Sequence, residues 1–323
     1  MAIGQNPMTV EAYTEAYNRN LKDMARDIFN DSEREYDKIS KVESTDRLTN
    51  EFQTDQSVSA PIQGRDLEPI PQTAPVKGYK SVIRIKNYKV GITLEETLMR
   101  TAVFKDPINN AKDMMRSTVT LKDQTAVDFF NNGFTDALST NITEFDGTAR
   151  AFFSTGHYYE NGASTWSNYY NVGVPPTPEV VYLIINNYLK RLKDFGGENF
   201  VDYGKEFTIV TPSLNSAFGM AADEIVMSSD RPDTSDRATN VLKSIRLKHV
   251  SLNQLTSSSK WFIMVPTTTS SFPLCTLEMI PYEVSPLQSL ASGGNPDAFY
   301  TRCRTQFGVG FNKQYRGVVA IGA

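Results

Sequence analysis

Residues 106–134 read DPINNAKDMMRSTVTLKDQTAVDFFNNGF, and this stretch decides the fold. Asp106 offers a capping carboxylate, and Pro107 fits the first helical position, where its missing N–H is no loss. Ile108, Ala111, Met115, Val119, Ala126, Phe129 and Phe130 then recur at helical spacing and make one apolar stripe. Gly133 is expected to stop the helix in the left-handed conformation. About 25 residues at 1.5 Å each give a rod of roughly 37 Å. A rod of that length outruns a small domain core, so it must brace something extended. A brace suits lateral assembly and offers little to catalysis.

The flanking segments extend this reading. Downstream, Asp146-Gly147-Thr148-Ala149-Arg150-Ala151-Phe152-Phe153-Ser154-Thr155-Gly156-His157 reads as a structural motif. Phe152 and Phe153 would be buried, Ser154 and Thr155 would bond backbone, and His157 would pack or cap. Upstream, residues 79–86 and 87–94 alternate, or nearly so, and are expected to form a strand hairpin. Lys77, Lys80, Arg84, Lys86 and Lys89 crowd there with no acid among them. They either keep an edge from mispairing, dock on an acidic neighbour, or touch nucleic acid, for which the aromatic interleaving is thin. Residues 46–75 are polar and carry Pro61, Pro69, Pro71 and Pro75, so they read as an extended segment leaving the body.

Between residues 9 and 42, Val10, Tyr13, Tyr17, Leu21, Met24 and Ile28 form a narrow helical stripe. That helix either packs on its own domain or lies as an arm on a neighbouring subunit. The second half reads as an α/β body. Thr177 caps a helix with the stripe Val181, Ile184, Ile185, Tyr188 and Leu192, stopped by Gly196-Gly197. A buried strand at 207–210 runs into Thr211-Pro212, taken as the cap of a helix over 213–227. Further strands are expected at 245–250, 260–265, 274–280, 303–311 and 315–321.

The 323 residues, 40% hydrophobic and 22% charged, have ordinary globular composition and suggest about two domains. A formal net charge of -4 argues against a general nucleic-acid binder and leaves room for a local basic patch. Cys275 and Cys303 lie far apart and read as two idle buried thiols in a reducing compartment. The first residues hold no apolar signal core, and no apolar run reaches the roughly 20 residues of a membrane span. The chain is therefore expected in cytosol, without a membrane partner. No phosphate-cradling glycine loop, His-Glu-x-x-His or Gly-x-Ser-x-Gly occurs. Only two histidines occur, His157 and His249, so a triad or a metal site would have to use one of them or do without histidine. Ser154, three residues before His157 and downstream of Asp146, has nothing near it in sequence that builds an oxyanion hole. No catalytic residue, cofactor or metal ligand is expected. A cytosolic hydrolase built on residues 173–299 is the alternative from another class.

The order of parts resembles the major capsid protein of tailed bacteriophages, with its α+β, HK97-like fold. The parts are a polar N-terminal arm, a basic extended hairpin, a long spine helix, an α/β body and a returning final strand. Asp146-Gly147 with Phe153-Ser154-Thr155-Gly156-His157 is similar to the segment after the spine helix in Mu-like major head subunits. The closing Arg304-Thr305-Gln306-Phe307-Gly308-Val309-Gly310 and Arg316-Gly317-Val318-Val319 resemble their C-terminal strand pair. The resemblance implies an N-terminal arm at 1–55 and an E-loop hairpin at 56–96. It implies a spine helix and peripheral domain at 97–172, completed by 300–323, and an axial domain at 173–299. It also implies a non-enzymatic homo-oligomer of pentamers and hexamers, self-assembled into an icosahedral shell around double-stranded DNA that it contacts non-specifically. Portal, scaffolding and decoration proteins would be partners, and the virion its location after synthesis in host cytoplasm. Lys77, Lys80, Arg84, Lys86 and Lys89, with Tyr13, Tyr17 and Leu21 of the arm, would be contacts between subunits. No Lys/Asn pair matches the covalent crosslink of the fold's namesake. An encapsulin-like shell with protein cargo is the alternative within the fold.

Overall fold

The structure is a computed structural model that describes residues 10–31, 34–55, 77–95, 105–135, 142–143, 149–158, 165–171, 173–191, 206–213, 216–228, 241–257, 259–266, 272–289, 298–311 and 317–322. In chain order its first elements are α1 (Val10–Asp31), α2 (Tyr36–Ile39), β1 (Lys41–Ser44), β2 (Thr49–Asp55), β3 (Lys77–Arg84) and β4 (Lys86–Glu95). The long helix α3 (Lys105–Asn132) follows, then the short strands β5 (Ile142–Thr143), β6 (Ala149–Arg150), β7 (His157–Tyr158), β8 (Thr165–Trp166) and β9 (Tyr169–Asn171). The rest comprises α4 (Pro178–Asn187), β10 (Glu206–Pro212), α5 (Ala217–Met227), β11 (Arg246–Leu252) and β12 (Lys260–Met264). It closes with β13 (Leu274–Val284), β14 (Gln288–Ser289), β15 (Ala298–Phe311) and β16 (Val318–Gly322).

Two hydrophobic cores share α3. Its Ala111, Met114, Met115 and Val119 pack with Tyr17, Leu21, Ala25 and Phe29 of α1, Leu94 of β4 and Cys303 of β15. Its Ala126, Val127, Phe129 and Phe130 enter a second core with Phe152, Phe153, Phe262 and the β10, β12 and β16 side chains. Between the two apolar stretches lie the buried polar residues Lys122 and Asp123, with buried Thr118 just before them. The helix ends where Gly133 N donates to Phe129 O at 3.1 Å. Gly133 is needed for space rather than for a left-handed backbone: a side chain there would run into Phe129 O and the Phe153 ring.

The central sheet runs β1-β13-β15, with β4 and β14 also paired to β15. β13 changes register between Glu278 and Glu283. The carbonyls freed by this bulge find side-chain donors. Thr305 Oγ donates to Ile280 O and Pro281 O at 3.1 and 2.9 Å, and Lys122 Nζ to Pro281 O at 2.7 Å. The second sheet has the order β11-β10-β12-β16-β9. Thr177 caps α4 as expected, accepting from Val180 N. The cap of α5 is instead Ser216, which accepts from Gly219 N at 3.0 Å. Thr211 and Pro212 continue β10, opposite Ser251 and Leu252. α1 ends at Asp31 rather than near residue 42.

The basic strands do not form a hairpin with each other. Only Ile85 separates β3 from β4, too little chain for a hairpin turn. β3 pairs antiparallel with β2, with Thr49 opposite Arg84 and Asp55 opposite Lys77. β4 pairs with β15 over ten residues, from Glu95 opposite Ala298 to Lys86 opposite Phe307. Residues 49–55 are therefore a strand and not a linker. The β2–β3 ribbon is rooted where β3 crosses the face of the central sheet. A Cβ at Gly310 would lie 2.6 Å from Ile83 Cγ1, and one at Gly308 2.5 Å from Arg84 O. Ile83, 1% exposed, packs there with Phe272, Cys275 and Leu277, flanked by Phe52 and Ile85. Ser81 Oγ donates to Phe311 O at 2.7 Å.

Candidate assembly surfaces

Tyr17 and Leu21, expected at a subunit contact, are spent within the chain: they are 0% and 2% exposed, against α3. α1 has one apolar stripe, and the long helix offers a matching one. Phe29 stacks on Tyr282 with centroids 3.9 Å apart, and Asn18 Oδ1 accepts from Leu287 N at 2.7 Å. Tyr13 lies on the same helix, its side chain outside the described residues. Lys77 and Lys80 lie in β3, their side chains likewise outside them. Arg84, Lys86 and Lys89 are exposed. They are divided between the ribbon root and the body, because Lys86 and Lys89 belong to β4.

The sheet register adds two bases that sequence proximity could not supply. Arg304 stands opposite Lys89, and Arg302 opposite Gly91. Arg304 pairs with Glu283. Among the described residues, Lys89 and Arg302 have no carboxylate partner. Exposed apolar side chains complete the outer surface. Leu48 (64% exposed) and Val82 lie near the ribbon root, Tyr182 and Leu183 on α4, and Met220 and Met227 seven residues apart on one face of α5.

A polar seam ties the parts together. Lys122 Nζ meets Glu278 Oε1 at 2.7 Å, both nearly sealed from water. Burial pulls the Lys122 pKa down against the opposing pull of Glu278. Tyr36 Oη donates to the same carboxylate at 3.4 Å, and burial, with Glu278, pushes that phenol up. Asp123 Oδ1 accepts from Glu35 N at 2.8 Å and Tyr36 N at 2.9 Å, so α3 caps α2 from outside. Burial raises the Asp123 pKa, and those two bonds oppose the rise. The Glu35 carboxylate accepts from Asn253 N and Gln254 N at 2.8 and 3.3 Å. Asn131 reaches the same turn, donating to Gln254 O at 3.1 Å and accepting from Thr256 N at 2.9 Å.

The two histidines are structural in their geometry. His157 is fully buried, stacks on Trp166, and has Nε2 3.1 Å from Asn168 Oδ1. Asn168 also accepts from Ser154 N at 2.9 Å and donates to Phe152 O at 2.7 Å. Asn168 therefore organises the motif, and no local sequence signal marked it. Asp146 lies outside the described residues. His249 has Nδ1 2.7 Å from Asp223 Oδ1 and Nε2 2.8 Å from Thr211 Oγ. This is the order of a hydrolytic relay, assembled from α5, β11 and β10. Thr211 is fully buried, so no substrate reaches its hydroxyl, and the chain of bonds pins α5 to the sheet. Cys275 and Cys303 are free and buried, and burial pushes the Cys275 thiol up to about 12. Among the described residues no group of His, Cys, Asp and Glu could hold a metal ion, and no helix is long and apolar enough to cross a membrane.

Known structures share this architecture over nearly the whole chain. The capsid protein of the cyanophage P-SCSP1u matches with a TM-score of 0.55 at 8% identity, over 90% of this chain and 89% of that one. The mature capsid of bacteriophage PhiM1 matches with 0.56 at 12% identity, over 90% and 87%. A virus-like particle from Pyrococcus furiosus matches with 0.51 at 8% identity, over 96% and 99%. No protein-family model matches the chain, and no curated protein matches it. At these identities the likeness carries the fold: an α+β, HK97-like capsid fold.

Proposed function

We propose that this chain is the major capsid subunit of a tailed bacteriophage, self-assembling into an icosahedral shell around double-stranded DNA. The observation that carries the reading is the ribbon. β2 leans on β3 and on little else among the described residues, in a fold matched over 90% of the chain by capsid proteins. A two-stranded ribbon is marginal in water by itself, so a second surface is needed to cover it. In a closed symmetric shell one such contact is reused in every subunit. Apolar burial at about 25 cal/mol per Å² would hold the contacts. Exposed ion pairs, each worth about 0–1 kcal/mol, would set register.

In this reading the E-loop is the β2–β3 ribbon; residues 56–76, which join its strands in sequence, lie outside the described residues. The peripheral domain takes α1, α3, β1, β4, β13 and β15. The axial domain takes β9 to β12, β16, α4 and α5; sheet membership thus moves 318–322 out of the peripheral domain expected to hold 300–323, and moves β13 out of the axial stretch expected at 173–299. Pentamers and hexamers, a portal, and scaffolding or decoration proteins belong to the proposal, as does the Mu-like subtype. The likeness to the Pyrococcus furiosus particle supports a second reading, a shell of the same fold around protein cargo. Expression of the full chain, followed by sedimentation and electron microscopy, tests both. Megadalton particles are expected, and a monomer at every concentration would end the proposal. Nuclease-protected duplex DNA inside particles from the native source separates the phage reading from the cargo reading.

A further inference from the structure

Between α1 and the end of β13 lies a groove of about 190 Å³. Leu21 and Ala25 of α1 form one wall, and Tyr282 and Val284 of β13 form the other. Both walls are held in place. Tyr282 stacks flat on Phe29 with centroids 3.9 Å apart, and Asn18, also on the groove, accepts from Leu287 N at 2.7 Å. A slot fixed in advance loses little freedom when it is filled. An engineered apolar cavity of about 150 Å³ takes benzene, whereas small-molecule pockets begin at about 300 Å³. This slot therefore suits one aromatic or leucine-sized side chain and is too small for a cofactor. Its rim is cationic. Lys22 and Arg26 border it, both exposed, one helical turn and so about 6 Å apart. Among the described residues Lys22 has no carboxylate partner, and Arg26 meets only Asp27, at 3.9 Å between largely exposed groups. Asp23 and Asp27 each follow a rim base by one residue, which turns them about 100° round the helix from it. Glu283, also on the groove, is taken by Arg304.

We infer that this groove docks an acidic helical segment of another protein, which seats one large apolar side chain between the walls and sets carboxylates on Lys22 and Arg26. Charge selects the occupant. Apolar walls alone would take any hydrophobic side chain, but two bases one turn apart match two carboxylates one turn apart on a partner helix. The same bases repel a basic segment, so the rim discriminates as well as attracts. The inference does not draw on the shell reading. In a shell every subunit would repeat the groove, and a partner carrying several such segments would gain by avidity.

The test uses the full chain and a fluorescein-labelled, alanine-rich peptide with two glutamates four residues apart and a phenylalanine on the neighbouring face, read by fluorescence anisotropy. Saturable binding is expected. It should weaken roughly tenfold or more when alanine replaces the phenylalanine. It should weaken as much in the chain with Lys22→Glu and Arg26→Glu together, whose folding thermal melting checks. A peptide with lysines in place of the glutamates should bind that double variant to within about threefold of the original pair, a charge swap that loss of folding could not produce. No saturable binding to the unsubstituted chain, or no recovery in the swap, overturns the docking. Equal binding of the alanine peptide shows an anion-attracting patch with the slot unused, and overturns it too. A labelled DNA duplex that displaces the peptide and is itself lost in the double variant makes DNA the ligand, against the proposal. Finished particles that no longer take the peptide, with a double variant that forms none, make a second copy the occupant, also against it. Failure of the unsubstituted chain to form particles counts against the shell reading alone, since peptide binding is read on unassembled subunits.

Discussion

Adding a methyl group at Gly308 should cost more than adding one at Gly310, and the second should be the more repairable. At Gly308 the new Cβ would sit 2.5 Å from Arg84 O and 3.0 Å from Arg84 C, both backbone atoms of β3. At Gly310 it would sit 2.6 and 2.9 Å from Ile83 Cγ1 and Cδ1, the movable part of a side chain. Overpacking costs about 1–3 kcal/mol. Gly308→Ala belongs at the upper end of that range, because a strand must move. Gly310→Ala belongs at the lower end, because a rotamer can yield. Ile83→Ala by itself removes a sealed side chain and should cost about 2–5 kcal/mol.

Combined with Gly310→Ala, the Ile83→Ala loss should shrink by about 1–2 kcal/mol, since the added methyl occupies part of the hole. Combined with Gly308→Ala the repair should be the smaller of the two, because Ile83→Ala removes only the Cγ2 contact at 3.1 Å while the clash with Arg84 O survives. Urea unfolding measures the global change. Amide exchange at 81–84 measures the local one, and it should respond first because the ribbon root is its own small cluster. If Gly308→Ala proves as mild as Gly310→Ala, or is repaired equally well by Ile83→Ala, β3 does not cross the sheet as described.

Three other outcomes are expected. Lys122→Ala leaves Glu278 buried without its cation and should cost about 3–5 kcal/mol, read from chemical denaturation, whereas Lys122→Met with Glu278→Gln should restore most of it. Asp123→Ala strands the Glu35 and Tyr36 amides, about 2–4 kcal/mol, while Asp123→Asn keeps an acceptor oxygen. Burial raises the folded pKa of Asp123 above its unfolded value. Its contribution therefore favours folding on the acid side and is lost as pH rises through the folded pKa, so Asp123→Asn should flatten the fall in stability that begins above the ordinary carboxylate range. Cys275, with its thiol held near 12, should resist iodoacetamide at about pH 8 until denaturant is added; rapid labelling of the native chain would contradict its burial.

How legible each part was follows from the range of the interactions behind it. α3 and the cap of α4 rest on neighbours three or four residues apart, and so does the apolar stripe of α1. The strand over 303–311 rests on alternation within one run, and that over 260–264 on a short continuous apolar run. These patterns are local, and the structure follows them. Partner choice is not local. Alternation at 79–94 says which side chains share a face and nothing about which strand lies beside them. The chain pairs β3 with β2 and β4 with β15, and the predicted hairpin dissolves.

The same limit governs the surfaces and the sealed polar groups. A run of bases is visible in any window, but whether it lies on a loop or in a body depends on pairing, so Arg302 and Arg304 join Lys89 only through the register. Asn168 and Thr211 carry no local signature, because a satisfied polar side chain is defined by what surrounds it. Short-range periodicity made the helices and strands and marked their buried faces. Contacts between distant residues chose the strand partners, folded α1 onto α3 and moved the cations to the body, because burial and pairing energies depend on which surfaces meet, and the order of residues along the chain does not say that.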